Sequence, residues 1–217
     1  MGASKSSWVG CRVVCAWAFV LLAACVGGPR LVLASQANNE GDVRDFLAQG
    51  DDVDVRGARE RTALHIAARQ GSVVIVDVLL DYDSDPSALD AEGATPLHWA
   101  ALAGHLEVSE RLVAAGSDLE VHNVYGFTPL ANAVSEGHVA VAAALMDGGA
   151  MVEARSEQLL TPLHIAAAQG QVAMAEMLLA RGADVGATDD MGRTPRDLAE
   201  SLGHGALVEL LDGQARR

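Results

Sequence analysis

The threonines at positions 62, 95, 128, 161 and 194 are each 33 residues apart. Gly71, Gly104, Gly137, Gly170 and Gly203 keep the same step, and so do Leu79, Leu112, Leu145, Leu178 and Leu211. Chance does not hold three residue types in one register over five cycles. A fixed period of this length marks an array of supersecondary units. One unit cannot bury its own apolar face, so stability must come from stacking neighbours into a continuous core.

The parts of a cycle have local physical reasons. Ala94-Thr95-Pro96-Leu97-His98-Trp99-Ala100-Ala101 returns as Leu160-Thr161-Pro162-Leu163-His164-Ile165-Ala166-Ala167. Thr as N-cap accepts a backbone amide, and Pro at the first helical position has no amide to waste. The Gly nine residues after the Thr suits a left-handed helix stop. A second apolar-periodic helix follows, as in Leu106, Val108 and Leu112-Val113, and Gly116, Gly149 and Gly182 end it. The alanines of the first helix are small enough to let neighbouring helices approach closely. Each loop then swings out and returns as a hairpin.

This sequence resembles the ankyrin repeat over about residues 41–213, on period, Thr-Pro-Leu-His, internal Gly and the Gly-Ala-Asp tail together. The resemblance implies an all-α solenoid of paired helices with projecting hairpins. The array is expected over residues 35–213: a partial first repeat at 37–57, full repeats at 58–90, 91–123, 124–156 and 157–189, and a capping repeat at 190–213, with a tail at 214–217. Arg196 and Asp197 replace the Leu-His pair at the end, which suits a cap facing water. Ala131 and Asn132 replace His and an apolar residue in the third full repeat. Glu60 and Leu159 stand where the hairpin usually has Gly, and Asp83 stands in for the tail Gly, so irregular tips are expected there.

Residues 1–34 read differently. Lys5 and Arg12 precede an uncharged run from Val13 to Val26, which Gly27, Gly28 and Pro29 break. A basic start and a 14-residue apolar core read as a secretory signal. The run is short of the about 20 residues of a bilayer-spanning helix. Two processing readings compete. A cut after Val32-Leu33-Ala34 leaves Ser35 first and is preferred; Leu22-Ala23-Ala24-Cys25 resembles a bacterial lipobox and would lipidate Cys25. Met1-Gly2-Ala3-Ser4-Lys5-Ser6 also fits a myristoylation pattern, which ignores the apolar run. The expected location is outside the cytoplasm, in a periplasm or extracellular space, anchored at a membrane if Cys25 carries a lipid.

Composition narrows the chemistry. The three cysteines are Cys11, Cys15 and Cys25, so no thiol chemistry or disulfide framework is available after Val26. Net charge is −14, which disfavours nucleic acid and anionic membrane as partners. His65, His98 and His164 share one motif position. Helices stacked about 8–10 Å apart do not easily bring two imidazoles within the about 2 Å of a shared ion. The ankyrin resemblance implies a structural role instead, with each histidine bonding backbone in the adjacent loop. Neither a metal nor a cofactor is expected. With no nucleophile elbow, paired acid and base, or phosphate loop, the chain is read as non-catalytic.

What the resemblance implies about function is binding of a protein partner on the concave face of hairpin tips and first helices. Carried over residue by residue, the contact positions are Arg59, Arg61, Arg69, Leu102, His122, Tyr125, Phe127, Glu136, Arg155 and Leu160. Arg59, Arg61 and Arg69 form a basic spot on an acidic chain. Leu102, Tyr125, Phe127 and Leu160 form an apolar stripe, although Phe127 and Leu160 are equally read as packing hairpin on hairpin. Trp99, Ile66, Ile165 and Leu198 are assigned to the core. The alternatives are an enzyme or small-ligand binder in the groove, or a scaffold that stacks end to end; a monomer is expected.

Overall fold

The computed structural model describes residues 28–214; residues 1–27, which hold most of the expected leader and Cys25, and residues 215–217 lie outside the described residues. Among the described residues there are twelve α-helices and no strands, an all-α solenoid. The helices come in six consecutive pairs: α1 (Arg30–Gln36) with α2 (Glu40–Ala48), α3 (Ala63–Gln70) with α4 (Val73–Asp81), α5 (Pro96–Ala103) with α6 (Leu106–Ala114), α7 (Pro129–Ser135) with α8 (Val139–Asp147), α9 (Pro162–Ala168) with α10 (Val172–Ala180), and α11 (Pro195–Ser201) with α12 (Gly205–Gln214). They are called repeats one to six below. First helices pack on first helices of the neighbouring repeats, and second helices on second helices.

Each first helix after α1 starts on its periodic threonine. The Thr95, Thr128, Thr161 and Thr194 side chains accept the amide of the residue three places on. Leu64, Leu97, Leu130 and Leu163, one period apart, are all at most 1% exposed and run as one seam through the stack. Leu79, Leu112, Leu145, Leu178 and Leu211 form the parallel seam of the second helices. Glycine is required twice over where α3 ends. Gly71 adopts φ +73°, and a Cβ there would lie 2.6 Å from Nδ1 of His105 in the next repeat.

The five hairpins are closed by the same backbone bond, from Gly57, Asp90, Asn123, Ser156 and Asp189 amides to the carbonyl four residues on. Leu159 and Asp83 take the left-handed conformation without being glycine, at φ 57° and 60°. The loop geometry is thus imposed by its neighbours rather than by the local residue. The first hairpin is the irregular one: Ala58–Glu60 forms a 3-10 turn in which Arg59 and Glu60 are both left-handed.

The N-terminal end departs from the sequence reading. The first helix of repeat one does not lie within 37–57; it is α1, most of which falls in the span 1–34 read as the leader. Pro29, read as a breaker, stands at the N-cap of this helix. Leu31, Val32 and Ala34 are buried, Leu31 and Ala34 completely. Arg30 pairs with Asp51 and lies 4.4 Å over the Phe46 ring, so the helix is tied to α2 and the loop after it. A cut after Ala34 would fall inside α1. The sequence could not separate the two readings, because Leu31-Val32-Leu33-Ala34 fits the exit of a signal and the core face of a short helix equally well.

Candidate protein-binding face

A residue type that the sequence reading passed over organises the hairpins. Position 90 and its 33-step equivalents are Asp90, Asn123, Ser156 and Asp189. Each turns its side-chain oxygen back on its own hairpin. Asp90 Oδ1 accepts the Glu92 and Ala94 amides at 3.0 and 2.9 Å. Asn123 does the same for Tyr125 and Phe127, and Asp189 for Met191 and Arg193. The signal was present in the period, one polar acceptor five residues before each Thr from Thr95 on.

Asp90 has a second oxygen, and it builds the site. Its Oδ2 accepts the Trp99 indole N–H at 3.0 Å and the Arg61 Nε–H at 3.2 Å. The guanidinium of Arg61 lies 4.3 Å over the Trp99 ring and also reaches Glu92. Burial raises the Asp90 pKa, but the Ala94 amide, the indole and the guanidinium outweigh it and hold the carboxyl below its ordinary value. On the outer side, Arg59 bonds Glu92 at 2.6 Å. Beside this network is a depression of about 150 Å³ whose walls include Trp99, Leu102, Tyr125, Asn132, Arg59 and Arg61. Tyr125, at the hairpin tip, is 66% exposed, and Leu102 is 36% exposed.

The residues picked from sequence therefore separate into groups. Arg59, Arg61, Leu102 and Tyr125 meet at the depression. Arg69 lies at its edge, 5.9 Å from the Trp99 ring, and is exposed. The basic spot is not free charge, because Arg59 and Arg61 are paired with Glu92 and Asp90; Arg69 alone of the three has no ion pair among the described residues. Phe127 and Leu160 are half-buried and pack against the core. His122 and Arg155 serve the hairpins, through His122 Nε2 to the Arg155 carbonyl at 3.0 Å and Arg155 Nη1 to the Thr188 carbonyl at 3.1 Å. Glu136 is exposed, and among the described residues its carboxylate accepts the Ser135 hydroxyl. Trp99 is not a core residue like Ile66, Ile165 and Leu198 at the same motif position; it is half-buried and walls the depression.

The motif histidines are fully occupied. In His65, His98 and His164, Nδ1 accepts the threonine amide at 3.1–3.2 Å, and Nε2 donates to a carbonyl of the next hairpin at 3.0–3.1 Å. Burial lowers all three pKa values, that of His98 to about 4. The neutral ring with its proton on Nε2 is the form this geometry needs. Among the described residues no group of three or more His, Cys, Asp or Glu side chains could hold a metal ion.

A family model described as ankyrin repeats (3 copies) matches residues 31–123 and 111–189. The chain belongs to the ankyrin-repeat family. The match begins at α1, in agreement with its place as part of the first ankyrin unit. Two curated proteins are similar over shorter stretches. Palmitoyltransferase AKR1 of Lachancea kluyveri is 44% identical over 61 residues, 28% of this chain and 8% of that protein. Serine/threonine-protein kinase 12 of Arabidopsis thaliana is 38% identical over 69 residues, 31% of this chain and 15% of that protein. The chain thus spans less than a sixth of the length of these relatives, over about two ankyrin units. Ankyrin arrays generally mediate protein binding, and that general role is what the family assignment supports.

Proposed function

We propose that this ankyrin array captures a protein partner, without turnover, by taking one apolar or aromatic side chain into the Trp99 depression while Arg69 meets a nearby carboxylate. The observation that carries the reading is Tyr125, a large aromatic held 66% exposed on a hairpin tip beside the half-buried Trp99 and exposed Leu102. Aromatic and Arg side chains around a partly desolvated pocket are the usual composition of an interface anchor. A volume of about 150 Å³ suits a single ring or branched aliphatic group. Both ring nitrogens of each motif histidine are engaged, which leaves none of them free to carry a proton in a reaction.

The test is affinity capture on the full chain followed by substitution of contact residues that the fold does not use. Tyr125→Glu with Leu102→Glu should abolish capture and leave helical circular dichroism and melting unchanged. Arg69→Glu should weaken it at least tenfold. Capture that survives both variants rejects this face. Arg61 and Phe127 are unsuitable probes, since one is stacked on Trp99 and bonded to Asp90 and the other packs on the core.

The reading includes export through residues 1–29, with a soluble or Cys25-anchored product. The packing of α1 within the array supports a leader that ends before Arg30. Intact mass of protein from its native host distinguishes a start upstream of Arg30, a lipidated Cys25 and an uncleaved chain. A mature N-terminus at Ser35 would contradict this part of the proposal.

A further inference from the structure

Of the four boundaries between repeats that both carry a hairpin, three are tied by the same three hydrogen bonds. The first runs between hairpin tips: the Ala91 amide donates to the Arg59 carbonyl, Val124 to Glu92 and Asp190 to Gln158, at 2.9, 2.9 and 3.1 Å. The second is the motif histidine at the hairpin base: His65 to the Ala94 carbonyl, His98 to Phe127 and His164 to Arg193, at 3.0, 3.0 and 3.1 Å. The third is a histidine opening the second helix and reaching back to the end of the previous first helix: His105 to Arg69, His138 to Leu102 and His204 to Ala168, at 3.1, 3.2 and 3.1 Å.

All three are present between repeats two and three, three and four, and five and six. None is present between repeats four and five. Ala131 stands at the motif histidine position, and Gln171 stands where the second-helix histidine would be. The Gln171 amide nitrogen turns to Gln169 instead, and its buried Oε1 has no hydrogen-bond partner. No bond joins the Glu157 amide to the Tyr125 carbonyl.

The apolar packing across this boundary is intact, with Leu130, Leu145, Leu163 and Leu178 at most 1% exposed. Hydrophobic contact is non-directional, whereas hydrogen bonds fix orientation. The links that remain lie along the outgoing hairpin strands and the ends of the second helices: Asp184 amide to Glu153, Arg155 to the Thr188 carbonyl, and Arg181 to Asp147. We infer that the boundary between the fourth and fifth repeats is a hinge. Repeats one to four move as one body and repeats five and six as another. They pivot about the retained outer contacts, and the gap opens on the side of the first helices and hairpin tips, which sets the width of the groove a partner enters. The hinge stands whether or not the Trp99 depression is where the partner binds.

Restoring the missing bonds gives the test. In the full chain, hydrogen exchange of the Glu157 amide and the start of α9 should be faster than at the equivalent places in α5 and α11. The double variant Ala131→His, Gln171→His should bring them level, slowing exchange roughly tenfold per restored bond, in line with the net worth of such bonds. A second measurement does not depend on that variant. With Cys11, Cys15 and Cys25 changed to serine, spin labels at Gln70→Cys and Glu136→Cys span two tied boundaries. Labels at Glu136→Cys and Leu202→Cys span two boundaries of which one is the proposed hinge. The second pair should show the wider distance distribution. Equal widths, or wild-type exchange at α9 as slow as at α5, would overturn the inference.

Discussion

Four donors converge on the Asp90 carboxylate, from the Glu92 and Ala94 amides, the Trp99 indole and the Arg61 guanidinium, and its side chain is fully buried. Asp90→Ala strands all four and leaves Arg61 without its buried counter-ion, so urea unfolding should report a loss of about 3 kcal/mol. His98 makes a second prediction, on pH. Its folded pKa is lowered from 6.5 to about 4 by burial, so the unfolded chain takes up its proton first. The stability this implies is complete above about pH 6.5 and is lost as pH falls through about 4. At about 1.4 kcal/mol per unit the loss is roughly 3 kcal/mol. His65 and His164 shift in the same direction and add to it. Asp90, whose pKa is also lowered, contributes stability that disappears at still lower pH. Melting curves between pH 7.5 and pH 3.5, a range on the order of the two pKa values, should show the decline begin in the histidine range. In His98→Gln that part of the pH slope should be smaller.

At the scale of an element, the first helices are short and depend on caps and neighbours rather than on their own propensity. Leu130 lies in the first turn of α7 at 1% exposure, between α5 and α9. Leu130→Ala should cost about 2–5 kcal/mol in urea unfolding, with the spread set by how far the stack can collapse. The helix α1 carries a separate expectation. A chain begun at Ser35 lacks Leu31, Val32 and Ala34, and so uncovers the outer side of α3. It should melt at lower temperature than a chain begun at Gly28 and show faster hydrogen exchange in α2 and α3. Equal melting of the two would mean that α1 adds nothing to the array.

At the scale of the whole molecule, the period alone made the solenoid, its helix pairs and its buried seams legible. The structural role of the Thr-Pro-Leu-His histidine came from the ankyrin resemblance, and each of the three bonds the next hairpin. The binding face was legible in outline only. Sequence places Arg59, Arg61 and Arg69 on one face, but whether they are free depends on Asp90 and Glu92, about one repeat further on. Trp99 was misplaced because its motif position is apolar and inward in three other repeats. Only in the folded hairpin does the indole N–H reach Asp90, and only in the stack does Arg61 lie over the ring. With a net charge of −14 concentrated on the array, copies repel one another, and sedimentation is expected to give a monomer independent of concentration.

The sequence by itself determined where each helix after the first begins and ends, since caps, prolines and turn glycines act within a few residues of where they stand. It also determined that every repeat leans on the next, since no unit has a core of its own. The tertiary structure decided that Leu31 and Ala34 are buried within the array, and that Arg59 and Arg61 of the basic spot are paired. It also decided that the ties lapse between the fourth and fifth repeats. These matters turn on which groups meet across a boundary about one repeat away in the chain, and a run of residues carries that only once the repeats are stacked.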